Sequence, residues 1–103
     1  MTTKLARSVL ESMTGPYTFA MFMRGARTTL DLSQVEMAKK LGITRSSLCD
    51  IEQGRVLVTA ATAVKYSKKA GFSELVALEA CFQDQIRKAK LHYDVTLKVS
   101  GKK

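Results

Sequence analysis

The chain has 103 residues, of which 46% are hydrophobic and 25% are charged. That length suffices for one helical core and is too short for two ordinary domains, and the composition excludes a disordered polypeptide. The net charge of +8 favours a polyanionic partner, although an acidic protein would suit the same surface. No apolar run approaches the ~20 residues of a membrane span, and the N-terminal residues lack the apolar block of a signal peptide. We therefore expect a cytoplasmic protein that does not bind membranes.

Two helices are predicted in the N-terminal third of the chain. Apolar residues four apart predict a short amphipathic helix over residues 4–13. A longer helix is predicted over residues 17–30, and its apolar face consists of Phe19, Phe22, Met23, Ala26 and Leu30. Gly25 weakens this helix by roughly 1 kcal/mol relative to alanine, and its lack of a side chain would allow a close contact with another helix there.

The segment 32–54 predicts two short helices joined by a tight turn. Ser33 is placed to accept a hydrogen bond from a backbone N–H of a helix that begins at Gln34. Gly42 permits the positive φ that ends this helix. Thr44 is placed to cap the helix that follows.

The second helix of this segment, residues 45–53, has two contrasting faces. Leu48 and Ile51 point to one side. The opposite arc carries small or polar side chains, namely Arg45, Ser46, Cys49, Asp50 and Gln53. Such side chains hydrogen-bond base edges, so the arc is typical of a helix that lies in a DNA major groove. For Cys49, a redox switch is an alternative to a small side chain tolerated next to DNA.

This segment resembles the helix-turn-helix of the Cro/cI repressor family, also called the XRE family, over about residues 19–72. Gln34 matches the glutamine that opens the first motif helix, and Gly42 matches the turn glycine. Glu52 and Gly54 match the family's Glu-x-Gly ending. The resemblance implies an all-α, five-helix, lambda-repressor-like fold and a regulator that binds double-stranded DNA.

The resemblance also implies roles for single residues. It places Arg45, Ser46 and Asp50 at base-reading positions, and Cys49 lies on the same arc. Arg45 would read guanine or hold a phosphate, and Asp50 would accept a hydrogen bond from cytosine. Phosphate contacts are expected from Gln34, Ser47, Gln53 and Arg55. For the last of these, a merely solvated arginine is the alternative. A structural ion pair is implied between Arg27 and Glu52.

Two further helices are predicted after the motif. Thr59 is placed to cap a helix that ends near Ala70, with Gly71 following it. Ser73 is placed to cap the last helix. That helix carries a stripe of apolar residues that is either core or dimer seam, namely Leu75, Leu78, Phe82, Ile86 and Ala89.

The tail changes its pattern to a period of two. Over residues 92–99 polar and apolar residues alternate, and the apolar set is Tyr93, Val95, Leu97 and Val99. This pattern predicts a β-strand, which needs a partner for its unpaired backbone groups. We expect that partner to be the same strand of a second copy, paired antiparallel about a two-fold axis. A frayed tail is the alternative.

The expected organisation is an N-terminal helix or arm over residues 1–16, a DNA-binding domain over 17–72, and a dimerisation segment over 73–103. The expected function is that of a homodimeric repressor on a palindromic operator. An antitoxin that neutralises a toxin protein and represses its own operon is the alternative. No nucleophile–base pattern, metal-ligand spacing or nucleotide loop indicates an enzyme, a metal site or a cofactor.

Overall fold

The computed structural model describes residues 17–100, which contain five helices. They are α1 Phe19–Thr29, α2 Gln34–Leu41, α3 Arg45–Glu52, α4 Ala60–Ala70 and α5 Glu74–Lys88. The predicted all-α helix-turn-helix fold is confirmed over this range, and the helix predicted over residues 4–13 lies outside it. None of the described helices is long and apolar enough to span a membrane.

The N-cap residue of every one of these helices is a serine or a threonine. Each accepts a hydrogen bond from the backbone N–H three residues further on, and the capping residues are Thr18, Ser33, Thr44, Thr59 and Ser73. At Ser33 the exchange is reciprocal, because Glu36 Oε1 accepts from the Ser33 N–H at 2.8 Å. Local capping chemistry therefore sets the helix starts, which explains why four of the five could be predicted from the sequence.

The core is assembled from all five helices. Met23, Met37, Leu41 and Leu48 are completely buried at its centre, where α1, α2 and α3 meet. Helix α5 joins this core mainly through its small residues, Ala77, Ala80 and Cys81, and Leu78 is the one residue of the predicted apolar stripe among the described side chains packed against it. Small side chains allow α5 to approach α1 and α4 closely.

The predicted stripe on α5 is therefore only half-buried, and Ala89 is exposed. Helix α5 carries two apolar arcs, one of large and one of small side chains. Periodicity fits both arcs, and the prediction chose the one with the larger side chains. Among residues 17–100, the close contact expected at Gly25 is also not present, since a Cβ atom there would meet nothing within 4 Å.

The tail after α5 forms no β-ladder in the single chain, where the strand predicted over residues 92–99 has no second copy to pair with. Lys90 adopts a left-handed conformation with φ 62° and turns the chain back at the end of α5. The Leu91 N–H then bonds to the Ile86 carbonyl at 3.1 Å. A strand requires a second strand, and the described residues offer the tail only side chains of α5.

Two glycine substitutions should move stability in opposite directions. Gly42→Ala places a side chain at φ 78°, with its Cβ only 3.2 Å from Lys69 Nζ, and should lower the free energy of unfolding by about 1 kcal/mol. Gly25→Ala adds a methyl group to open space in α1 and should raise it by about 0.5–1 kcal/mol. Urea unfolding of both variants tests this, and the same sign for both would contradict it.

Candidate nucleic-acid interface

The turn between α2 and α3 fixes the relative position of these two helices. Gly42 has a φ of 78°, and the Ile43 N–H bonds back to the Ala38 carbonyl at 3.0 Å. Lys69 of α4 donates from Nζ to the Leu41 carbonyl at 3.2 Å, which satisfies a carbonyl at the end of α2. Sequence reasoning missed this contact, since only the tertiary fold brings α4 to the turn.

A buried carboxylate, Glu52, ties three helices together behind the interface. Its side chain is 1% exposed, and Arg27 Nε of α1 donates to Oε2 at 2.7 Å. A second Arg27 nitrogen donates to Oε1 at 3.1 Å, and Gln34 Nε2 of α2 donates to the same oxygen at 3.0 Å. Hydrogen bonding to Glu52 raises the pKa of Arg27, so the guanidinium stays cationic.

Arg24 is a further contact that sequence reasoning missed. It lies one turn before Arg27 on α1 and donates from a terminal guanidinium nitrogen to the Glu52 backbone carbonyl at 2.6 Å. This bond satisfies a carbonyl at the C-terminal end of α3, where a cation is favoured by the helix dipole. The spacing of three from Arg27 was the only sequence signal for it.

The outward arc of α3 presents free polar groups at its N-terminal end. Arg45 and Ser46 are exposed, and in the described part of the chain neither side chain has a partner. The Thr44 hydroxyl donates to Ser47 Oγ at 3.0 Å, which leaves the Ser47 hydroxyl hydrogen free to donate outward. Gln53, at the other end of the arc, is also exposed.

Asp50 and Arg55 form a pair on the same surface. Gly54 has a φ of 74°, and this turn lets the Arg55 N–H bond to the Asp50 carbonyl at 2.9 Å. The Arg55 guanidinium then donates to Asp50 Oδ1 at 2.8 Å. Hydrogen bonding to Asp50, and secondarily to Cys49, raises the pKa of Arg55. The two predicted contact residues are therefore neighbours that share a hydrogen bond.

The groups expected to meet DNA keep unused hydrogen-bonding capacity despite these contacts. Gln34 uses one amide hydrogen for Glu52, and an amide nitrogen carries two. Asp50 uses Oδ1 for Arg55, and its second oxygen remains an acceptor. One surface thus combines free donors, free acceptors and two exposed guanidinium groups, as a contact with phosphates and base edges requires.

A family model described as helix-turn-helix matches residues 23–76, which is more than half of the chain. The chain belongs to the Cro/cI-type helix-turn-helix family. It is therefore a DNA-binding regulator, and the match runs from the middle of α1 into the first turn of α5. No curated protein and no solved structure matches this helix-turn-helix chain.

Two carboxylates on α3 should differ sharply in their effect on stability. Glu52→Ala leaves Arg27 without its buried partner and should lower the free energy of unfolding by about 3–5 kcal/mol. Asp50→Ala is the matched control, because its partner Arg55 has a side chain 59% exposed, and it should cost at most about 1 kcal/mol. Chemical denaturation of both variants measures the difference, and equal effects would contradict it.

Proposed function

We propose that this regulator is a dimeric repressor that inserts α3 of each copy into the major groove of one half of a palindromic operator. The observation that supports this most is that Arg45 and Ser46, at the exposed N-terminal end of α3, have no side-chain partner within residues 17–100. Residues at this end of a recognition helix are the ones that contact base edges in helix-turn-helix complexes. Repression would follow from a dimer that occupies an operator and so blocks transcription from it.

We assign the contacts with DNA bases to the outward arc of α3. Arg45 reads guanine through the two acceptors on its major-groove edge, and Ser46 contacts an adjacent base. Asp50 accepts from the exocyclic amine of cytosine with the oxygen that Arg55 leaves free. Cys49, half-buried between them, packs its small side chain against the base edges.

Phosphate contacts fix the register of the protein on the duplex. Gln34 and the first amides of α2 hold one phosphate, because a helix N-terminus carries partial positive charge and unpaired N–H groups. The Ser47 hydroxyl, Gln53 and Arg55 hold the neighbouring backbone. Asp50 orients the Arg55 guanidinium, so Arg55 contributes to affinity for every sequence.

The first prediction of this assignment concerns salt. If the dimer makes about 6–10 phosphate contacts, affinity for operator DNA should fall roughly 10³–10⁵-fold between about 50 and 200 mM salt, because counterions are released on binding. Fluorescence anisotropy with a labelled operator, selected from a random duplex library, measures the slope. A flat response to salt would refute the assignment.

The second prediction distinguishes a side chain that contacts a base from one that contacts a phosphate. Arg45→Ala should lose about 1–3 kcal/mol on sites with the preferred base and relax the preference at one half-site position. Arg55→Ala removes one cation from the same surface and is the matched control. It should weaken all sequences alike and reduce the salt slope by about one per copy. Competition binding against single-base operator variants distinguishes the two, and uniform weakening by Arg45→Ala would make Arg45 a phosphate contact instead.

A further inference from the structure

The tail is held along α5 by two side chains one helical turn apart. Gln83 Nε2 donates to the Tyr93 carbonyl at 2.8 Å, and its Oε1 accepts from the Val95 N–H at 2.8 Å. Glu79 Oε2 accepts from the Leu97 N–H at 2.9 Å. Four helical residues rise about 6 Å, which matches the ~6.6 Å that two extended residues span. The tail therefore runs extended and antiparallel to α5.

This arrangement leaves one edge of the tail backbone free. In an extended chain the N–H and C=O of one residue point to the same side, and they alternate from residue to residue. The odd-numbered residues face α5, so the backbone groups of Asp94, Thr96 and Lys98 face away from it. Within residues 17–100 these groups have no hydrogen-bond partner. Such an edge is a template for pairing with another extended chain.

We infer that this edge binds the same edge of a second copy, as an antiparallel two-stranded ladder whose two-fold axis passes through Thr96. The inference rests on the proposed dimer and names its contact and register. Thr96 of each copy exchanges two backbone hydrogen bonds across the axis. Asp94 and Lys98 of one copy then form hydrogen-bonded pairs with Lys98 and Asp94 of the other.

The charges of Asp94 and Lys98 favour this register over registers whose axis lies one or two residues away. With the axis at Thr96, each Asp94 lies directly opposite a Lys98 of the second copy, which gives two favourable cross-strand ion pairs. An axis at Asp94 or at Lys98 places like charges directly opposite each other. An axis at Val95 or Leu97 pairs neither charge with its opposite. Only the register at Thr96 satisfies both charges, and it does so with a self-complementary surface, as a two-fold contact requires.

The apolar residues of the tail agree with the same register. Tyr93 and Val99 are the most exposed large hydrophobic residues of the described chain, at 67% and 75%. With the axis at Thr96, Tyr93 lies opposite Val99 of the second copy, and pairs of aromatic and β-branched residues stabilise sheets. Val95 lies opposite Leu97 on the same face, beside α5. Pairing therefore covers side chains that the single chain leaves in water.

A charge-exchange experiment tests the inference on the full chain without DNA. Asp94→Lys places lysine against lysine twice, and Lys98→Asp places aspartate against aspartate twice. Each variant alone should weaken the homodimer roughly tenfold to hundredfold in sedimentation equilibrium. An equimolar mixture of the two should recover wild-type affinity as a heterodimer, because both opposite pairs are restored. The two changes shift net charge in opposite directions, so net charge cannot produce the same loss in both.

The outcomes separate this inference from the proposed DNA binding. Circular dichroism of each variant should show the helix content of the wild-type chain, since both side chains are exposed in the single chain. Thermal midpoints should agree only at dilutions where all the chains are monomeric, because dimerisation itself raises the midpoint. A wild-type chain that sediments as a monomer, or that binds only an unrelated protein such as a toxin through this edge, overturns the inference. So does a dimer that both variants leave intact, which would place the seam elsewhere. Salt-dependent binding of operator DNA by a monomer would overturn the dimer and leave the role of α3 standing.

Discussion

The orientation of α3, the proposed recognition helix, depends on one buried carboxylate. A charged group removed from water costs several kcal/mol unless hydrogen bonds and an opposite charge compensate for it. Glu52 receives both, from Arg27 on α1 and Gln34 on α2, at 2.7–3.1 Å. Any rotation of α3 relative to these helices would break bonds to a group that cannot be solvated there. The carboxylate therefore stabilises one arrangement of the three helices over others more than it adds to total stability.

That arrangement divides the proposed DNA-facing surface into fixed and adaptable parts. Gln34 belongs to the buried network, so the start of α2 is held at a set distance from α3. Arg55 is held by Asp50, and the turn at Gly54 supplies its direction. Arg45, by contrast, is exposed without a partner in the described chain. The groups proposed to bind the DNA backbone are thus positioned in advance, whereas the long side chain of Arg45, the proposed base reader, is free to adjust to the bases.

Sequence reasoning succeeded where local chemistry decides the structure and failed where tertiary placement decides it. Ser33 and Gly42 act on their own helix, so the motif helices could be bounded without knowledge of the fold. The buried face of α5 could not be predicted, because the choice between its two apolar arcs depends on what α1 and α4 present to it. Arg24 carries no motif, and its bond to the end of α3 exists only once the helices are packed. The tail was predicted as a strand from its alternation, yet alternation reports an extended chain and not a paired one.

Helix α5 connects the tail edge to the DNA-facing surface through directional contacts. Its outer side holds the tail through Gln83, and its inner side accepts the Phe19 N–H of α1 on Asp84 at 3.1 Å. Burial raises the pKa of Asp84, while the bond from Phe19 and the charge of Arg87 act against that shift. Helix α1 in turn carries Arg27, which holds Glu52 of α3. A two-fold axis at the tail would therefore set the separation of the two α3 helices through packed elements and not through a linker. Such a dimer would favour half-sites of one spacing, because the hydrogen bonds from Gln83 and Glu79 to the tail limit how far each α3 can move relative to the axis.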